Sequence, residues 1–133
     1  MSRILVDSSV WIDYFNNVRN PETDQLDSII TGRSQICLCP PVVQEVLQGF
    51  KSETDYNNAG RLLALNHYLV EDAYEAAHGA AQIFRILRKQ GLTIRRGSDC
   101  LIAWYALRNQ CYLLHKDRDF DLMAKPLSLK VLH

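Results

Sequence analysis

Residues 4–15 decide the fold, and they read Ile4-Leu5-Val6-Asp7-Ser8-Ser9-Val10-Trp11-Ile12-Asp13-Tyr14-Phe15. The apolar run 4–6 is typical of a strand that is buried on both faces of a parallel sheet. It ends at Asp7, after which Ser8 and Ser9 are expected to cap a helix. This order predicts Asp7 at the carboxyl edge of a central strand, where open α/β sheets bind ligands. From this stretch alone, a plain helix-capping role explains Asp7 equally well.

The 133 residues are expected to form a single domain, 1–133, with enough length for a core. The 15 basic and 15 acidic residues give a formal charge of zero, which excludes the overall basic field of a non-specific nucleic-acid binder. Any polyanionic substrate would therefore be held by local basic residues or by metal ions. No stretch is apolar and long enough for a membrane span or a signal region, so we expect a cytoplasmic protein with no membrane partner.

The four cysteines are Cys37, Cys39, Cys100 and Cys111. Cys37 and Cys39 lack the two-residue spacer of zinc and thioredoxin motifs, and no pair of histidines has ligand spacing. All four lie in apolar surroundings, which favours core thiols in a reducing compartment over a metal or disulfide role.

Short apolar runs alternate with helical patterns along the chain. Strands are predicted at 4–6, 36–39, 68–70 and 111–114, with a last edge strand at 127–132. Helices are predicted at 8–15, 21–30, 41–50, 53–65, 73–90 and 98–108, the last capped by Ser98, and an acidic loop at 116–121. This alternation predicts an α/β fold, a three-layer α/β/α sandwich with a short, mainly parallel central sheet.

Several acids are not explained by the core pattern. Glu45 lies at the edge of the apolar stripe of its helix, where an ordinary flanking glutamate is the simpler explanation. Asp99 is more informative, because it shares the inward side of its helix with Ile102 and Ala106. A carboxylate on an inward stripe must be paired or bind a cation.

Three more acids, Asp117, Asp119 and Asp121, directly follow the predicted strand 111–114. Like Asp7, they are expected near a carboxyl edge of the sheet, although a segment with this many charges usually forms a solvated turn. If these positions meet, their mutual repulsion requires compensation. Oxygen ligands without histidine or cysteine suit Mg²⁺ or Mn²⁺, and such a centre supports phosphodiester hydrolysis by a metal-activated water.

In order and spacing, four motifs resemble those of the PIN-domain family, and within it the VapC-type ribonuclease toxins of toxin–antitoxin pairs. The first is the opening stretch 4–15 quoted above. The others are Val43-Gln44-Glu45-Val46-Leu47-Gln48-Gly49, Ser98-Asp99-Cys100-Leu101-Ile102-Ala103 and Lys116-Asp117-Arg118-Asp119-Phe120. The resemblance covers nearly the whole chain.

The resemblance implies a Mg²⁺- or Mn²⁺-dependent endoribonuclease. By position, Asp7 and Asp99 match the principal metal ligands and Glu45 matches the second family acid. The fourth acid falls on Asp117 or Asp119, and Asp117 is preferred because it is nearer the strand end. The family usually has Thr or Ser two residues before this acid, where this chain has His115; a hydrogen-bonding role and a purely structural role are both open for this histidine.

The resemblance also implies a homodimer and a cognate antitoxin that blocks the metal site. Trp11, Tyr14, Phe15 and Phe50 either line the groove for this partner or belong to the core. Candidate contacts to RNA phosphates are the basic residues Arg95, Arg96, Lys116 and Arg118, for which a solvated surface role is the alternative.

The sequence leaves two other classes of function open. A receiver-type phosphoacceptor also places acids at strand ends and needs a late lysine, for which Lys116 is available, but its paired acids near the first strand are missing. A catalytically silent binding module would keep the acids only as fold supports. The presence of all four acids argues against that module.

Overall fold

The computed structural model describes residues 2–132, in which helices and strands alternate. The strands are β1 (Arg3–Val6), β2 (Gln35–Leu38), β3 (His67–Tyr68) and β4 (Tyr112–Leu114). The helices are α1 (Ser8–Phe15), α2 (Pro21–Thr31), α3 (Pro40–Leu47), α4 (Glu53–Leu63), α5 (Ala73–Lys89), α6 (Gly97–Arg108) and α7 (Arg118–Leu127).

The strands form one parallel sheet in the order β3-β2-β1-β4, so that β1 is central. Leu5 pairs with Cys37 on one side and with Leu113 on the other. Leu5 and Val6 point to opposite faces of the sheet and both are 0% exposed. Helices therefore cover both faces, and the predicted α/β fold with a short parallel sheet is confirmed.

The core has the composition that the apolar runs predict. All four cysteines are buried free thiols, which confirms their assignment to the core. On one side of the sheet, α5 lies against α6, and the buried Gly79 of α5 lets the indole ring of Trp104 approach its backbone. A Cβ atom at position 79 would lie well inside van der Waals contact with that ring.

The segment predicted as an acidic loop begins a helix instead. Asp117 is the N-cap of α7, and Phe120 and Met123 are buried one turn apart. Their spacing is helical, but three acids in the first residues conceal it, because acids suit a helix N-terminus as well as a solvated turn. The predicted edge strand 127–132 is also wrong: α7 extends to Leu127, and only a parallel bridge joins Leu113 to Val131.

Other corrections concern element ends. The third strand is 67–68 rather than 68–70, and the helices predicted at 41–50 and 53–65 end at residues 47 and 63. Asp7, not a serine, caps α1, since its side chain accepts a hydrogen bond from Ser9 N–H. Helix α6 begins at Gly97 with Arg96 at the N-cap, so Ser98 does not cap it. Within residues 2–132, no helix has both the length and the apolar character that crossing a membrane requires.

Candidate metal centre

The carboxyl edge of β1 and β4 collects acids from four parts of the chain. Val6 pairs with Leu114, and the backbone N–H of Asp7 donates to the carbonyl oxygen of Leu114 at 2.9 Å. Asp7 and the residues before α7 therefore leave the sheet side by side. Glu45 arrives on α3, where its Oε1 accepts a hydrogen bond from Ser8 Oγ at 3.2 Å.

Asp7 caps its helix with only one of its two carboxylate oxygens. Its Oδ2 accepts hydrogen bonds from the N–H and the hydroxyl of Ser9, at 3.2 and 2.6 Å. Its Oδ1 is buried and has no hydrogen-bond partner among residues 2–132. The capping role and a ligand role, which the sequence left as alternatives, are therefore compatible in this geometry.

Asp99 lies in the first turn of α6 and is 1% exposed. Its Oδ2 accepts no hydrogen bond from any residue in the described range, although Arg96 Nε lies 3.5 Å away. Burial raises the pKa of Asp99 to about 7, and the negative charges of Asp7, Asp117 and Glu45 add to this rise while Arg96 opposes it. The four predicted acids thus act on one another electrostatically.

Three acids form the tightest group. Asp99, Asp117 and Asp119 each place one carboxylate oxygen within 4.8 Å of the other two. Burial raises the pKa of Asp117, but the N–H of Asp119 and the charges of Arg96 and Arg95 outweigh this effect and hold that pKa below its ordinary value. Asp7 and Glu45 are outside this group and approach Asp99 from β1 and α3.

Two arginines compensate the negative charge. Arg96 Nη2 lies 2.7 Å from Asp117 Oδ2, and Arg95 Nη2 lies 3.2 Å from Asp117 Oδ1. Arg95 also donates from its Nε and its backbone N–H to Asp119 Oδ2, at 3.3 and 3.4 Å. The sequence predicted either phosphate contacts or a solvated surface role for these arginines, and their pairing with the acids was missed. The i,i+3 spacing of Arg96 and Asp99 is the sequence signal that could have revealed this pairing.

The other two basic candidates are arranged differently. Lys116 Nζ pairs with Asp13 Oδ2, and Asn20 donates to the same oxygen at 2.9 Å. This lysine therefore ties the end of α1 to the segment after β4 instead of facing the acids. Arg118 is exposed on the first turn of α7.

His115 holds the turn that precedes α7. It is 7% exposed, and its Nδ1 accepts the backbone N–H of Asp117 at 3.1 Å. Its Nε2 lies 3.2 Å from Asp121 Oδ1. His115 thus orients Asp117 through its backbone, and Asp121 supports the histidine.

The donor set fits a hard divalent cation. Two buried carboxylate oxygens, Asp7 Oδ1 and Asp99 Oδ2, lack hydrogen-bond partners within residues 2–132. Leaving such oxygens unpaired is costly unless a cation approaches them. Asp117 and Glu45 could supply further oxygen ligands nearby, whereas Nδ1 of His115 is occupied by the backbone N–H of Asp117.

The PIN domain family model matches residues 4–126. The chain belongs to the PIN-domain family. Curated relatives of this PIN domain include ribonuclease VapC11 of Mycobacterium tuberculosis and a VapC ribonuclease of Mycobacterium bovis. Each is 32% identical over 129 residues, covering 96% of this chain and 96% of the relative.

Solved structures share the PIN fold at lower identity. VapBC2 of Rickettsia felis, bound to a promoter DNA fragment, matches with a TM-score of 0.75 and 15% identity over 98% of this chain and 97% of that chain. FitAcB of Neisseria gonorrhoeae matches with a TM-score of 0.71 and 20% identity, covering 98% and 96%. The family predicted from the four motifs is confirmed, and membership of the PIN-domain family replaces the receiver-type alternative.

The raised pKa of Asp99 predicts that the metal-free PIN domain becomes less stable as pH rises. Between the unfolded value of 3.8 and the folded value of about 7, the folded state holds a proton that the unfolded state has released. In excess chelator, the free energy of unfolding should therefore fall by roughly 2 kcal/mol between about pH 5 and pH 8. Denaturant titrations across this range measure the slope.

The control is Asp99→Asn, which removes the titrating group and should flatten that slope. Asp117 has a lowered pKa, so its stabilising contribution is lost only as pH falls below 3.8 and stays constant in the window used. An unchanged slope in Asp99→Asn would assign the effect to another group.

Proposed function

We propose that this PIN-domain protein is the endoribonuclease toxin of a toxin–antitoxin pair, hydrolysing RNA phosphodiester bonds with Mg²⁺ or Mn²⁺. One observation carries the proposal: Asp7, Glu45, Asp99 and Asp117 converge at the edge of the sheet, where two buried carboxylate oxygens have no hydrogen-bond partner among the described residues. The ribonuclease names of relatives that match along 96% of the chain support the same activity.

In this proposal, Asp7 and Asp99 are the principal ligands because their unpaired oxygens are the most buried. Asp117 is preferred over Asp119 as the fourth acid, since its charge raises the pKa of Asp99 and one guanidinium contacts both. Asp119 instead accepts the backbone N–H of Arg95 and holds the segment before α6 against α7.

When bound, Mg²⁺ or Mn²⁺ lowers the pKa of a water and offsets charge on the phosphate. Glu45 is only partly buried, and it is positioned by Ser8, so it is the carboxylate suited to accept a proton from the attacking water. His115 keeps Asp117 oriented through the Asp117 backbone N–H. No nucleophilic side chain is required.

The proposed antitoxin has a docking surface that includes two of the four aromatic residues considered above, Trp11 and Tyr14. Trp11 is 0% exposed and belongs to the core, and Phe15 packs edge-on against Phe50 at 5.6 Å. A cleft of about 570 Å³ between α1, α2 and α4 is lined by Trp11 and Tyr14 and presents exposed Ile30 and Leu65. An apolar helix face of the antitoxin fits this cleft. The proposal also includes a homodimer and a cytoplasmic location. In it, residues 1–133 act as one nuclease domain.

Purified protein incubated with structured RNA tests the activity. Cleavage is expected with Mg²⁺ or Mn²⁺, loss in excess chelator, and recovery when the metal is restored. Expression of the protein should arrest growth, and co-expression of a small protein encoded beside it should relieve the arrest. Cleavage that continues unchanged in chelator would contradict the metal-dependent mechanism.

A further inference from the structure

Arg96 contacts two acids of the metal centre that belong to different helices. Its Nη2 lies 2.7 Å from Asp117 Oδ2, at the start of α7, and its Nε lies 3.5 Å from Asp99 Oδ2, on α6. Arg96 is itself the N-cap of α6, so its backbone is anchored at the mouth of the site. One guanidinium thus stands between the two carboxylates that the proposed cation would join.

The neighbouring Arg95 has a different role. It contacts Asp119 and Asp117 but makes no ion pair with Asp99 within the described part of the chain. Its side chain is 69% exposed, against 52% for Arg96. Arg95 therefore pairs with Asp117 and Asp119, whereas Arg96 is less exposed and pairs with Asp117 and Asp99. This difference makes Arg95 a matched control for Arg96.

The position of Arg96 conflicts with a bound cation. A positive charge 3.5 Å from Asp99 Oδ2 lowers the attraction of that oxygen for a second positive charge. Arg96 also leaves Asp7 Oδ1 without a partner, so it compensates the site incompletely. Because its side chain is half-exposed, it is able to rotate toward solvent when a cation enters. The guanidinium then stays tethered at the edge of the site.

We propose that Arg96 is a resident counterion of the metal-free site, which a divalent cation displaces from Asp99 and Asp117, and that the displaced guanidinium binds the RNA phosphate. The planar fork of arginine binds phosphate oxygens in the same two-pronged manner as carboxylates. Arg96 thus stabilises the acids before a cation binds and the bound RNA afterwards. The second step rests on the proposed ribonuclease function, whereas the first concerns metal binding alone.

Two glutamine variants, Arg96→Gln and Arg95→Gln, test the counterion role without RNA. Mn²⁺ binding is measured by titration calorimetry at fixed pH and ionic strength. Removing the competing charge should raise the Mn²⁺ affinity of Arg96→Gln about tenfold, since close charge pairs of this kind are typically coupled by that order. Arg95→Gln should raise the affinity less than Arg96→Gln does, because Arg95 pairs with Asp117 but makes no ion pair with Asp99 within residues 2–132. Unchanged or weaker binding in folded Arg96→Gln overturns the counterion role.

Cleavage of RNA at saturating Mn²⁺ tests the phosphate contact. Arg96→Gln should lose about a hundredfold in kcat/KM although it binds metal more tightly, because a charge-assisted contact to the phosphate is gone. Substitution of a residue that merely supports the fold would not raise the metal affinity and at the same time lower RNA cleavage. Full activity in Arg96→Gln overturns the phosphate role.

Arg96→Lys provides a second variant if Arg96→Gln does not fold. A lysine ammonium cannot contact both carboxylates through a planar fork, so Mn²⁺ affinity should still rise several-fold. Unchanged affinity in this folded variant overturns the counterion role. If no variant and no wild-type protein cleaves RNA while the affinity shift is present, the proposed ribonuclease function fails and the counterion role stands.

Discussion

Asp99→Asn is expected to lower RNA cleavage by about a thousandfold or more. The amide keeps the volume of the side chain but removes the charge of a group that is 1% exposed and has an unpaired oxygen. Metal ions supply several kcal/mol of transition-state stabilisation, and each 1.36 kcal/mol corresponds to about tenfold in rate. Cleavage of a labelled RNA at saturating Mg²⁺ measures the loss, and calorimetry should show weakened metal binding in the same protein.

Asp27→Asn is the matched control for that experiment. Asp27 is exposed on α2, and its ion pair with Arg19 at 3.7 Å joins two solvent-facing side chains. The same chemical change there should leave cleavage within about twofold and stability nearly unchanged, as is usual for exposed pairs. Substantial activity in Asp99→Asn would remove Asp99 from the proposed ligand set.

Gly79→Ala is expected to lower the free energy of unfolding by about 2–3 kcal/mol, which is the usual cost of forcing extra volume into a packed core. The added methyl group would overlap the ring of Trp104 on α6. That ring is held edge-on against Tyr105 at 5.2 Å and lies under the guanidinium of Arg108 at 5.7 Å, so it has little room to move. Thermal unfolding should show a midpoint lower by roughly 10 °C.

Gly60→Ala is the control for helix propensity. Gly60 also lies inside a helix, α4, but a Cβ atom there meets no atom within 4 Å. The substitution should therefore stabilise the protein by about 1 kcal/mol, since alanine is the better helix former. Equal effects of the two substitutions would show that contact with Trp104 does not decide the outcome at position 79.

Local patterns in the sequence predicted most of the elements. The strand at 4–6 and the helices at 21–30 and 73–90 are signalled by apolar periodicity and by end signals within a few residues. The helix α7 was missed because its apolar positions, Phe120 and Met123, follow an acidic start that also suits a loop. The edge strand predicted at 127–132 was wrong because α7 extends to Leu127, the residue that would begin that strand.

The sequence also predicted some features of the candidate site and missed others. Order and spacing of motifs were enough to select Asp7, Glu45 and Asp99 as candidates, because each is placed by its own strand or helix. Pattern alone did not distinguish Asp117 from Asp119, since both lie beside the same strand end. Their different partners, Arg96 and the backbone N–H of Arg95, depend on how α6 approaches α7.

The sequence by itself determined the family, the parallel α/β arrangement and the set of acids near one sheet edge, because these follow from periodicities and motifs within short segments. Only the tertiary structure decided which carboxylate oxygens are unpaired and that Arg96 bridges Asp99 and Asp117. It also decided that His115 accepts the backbone N–H of Asp117. These properties depend on distances between separate elements, and ångström-scale distances control electrostatic and hydrogen-bond energies.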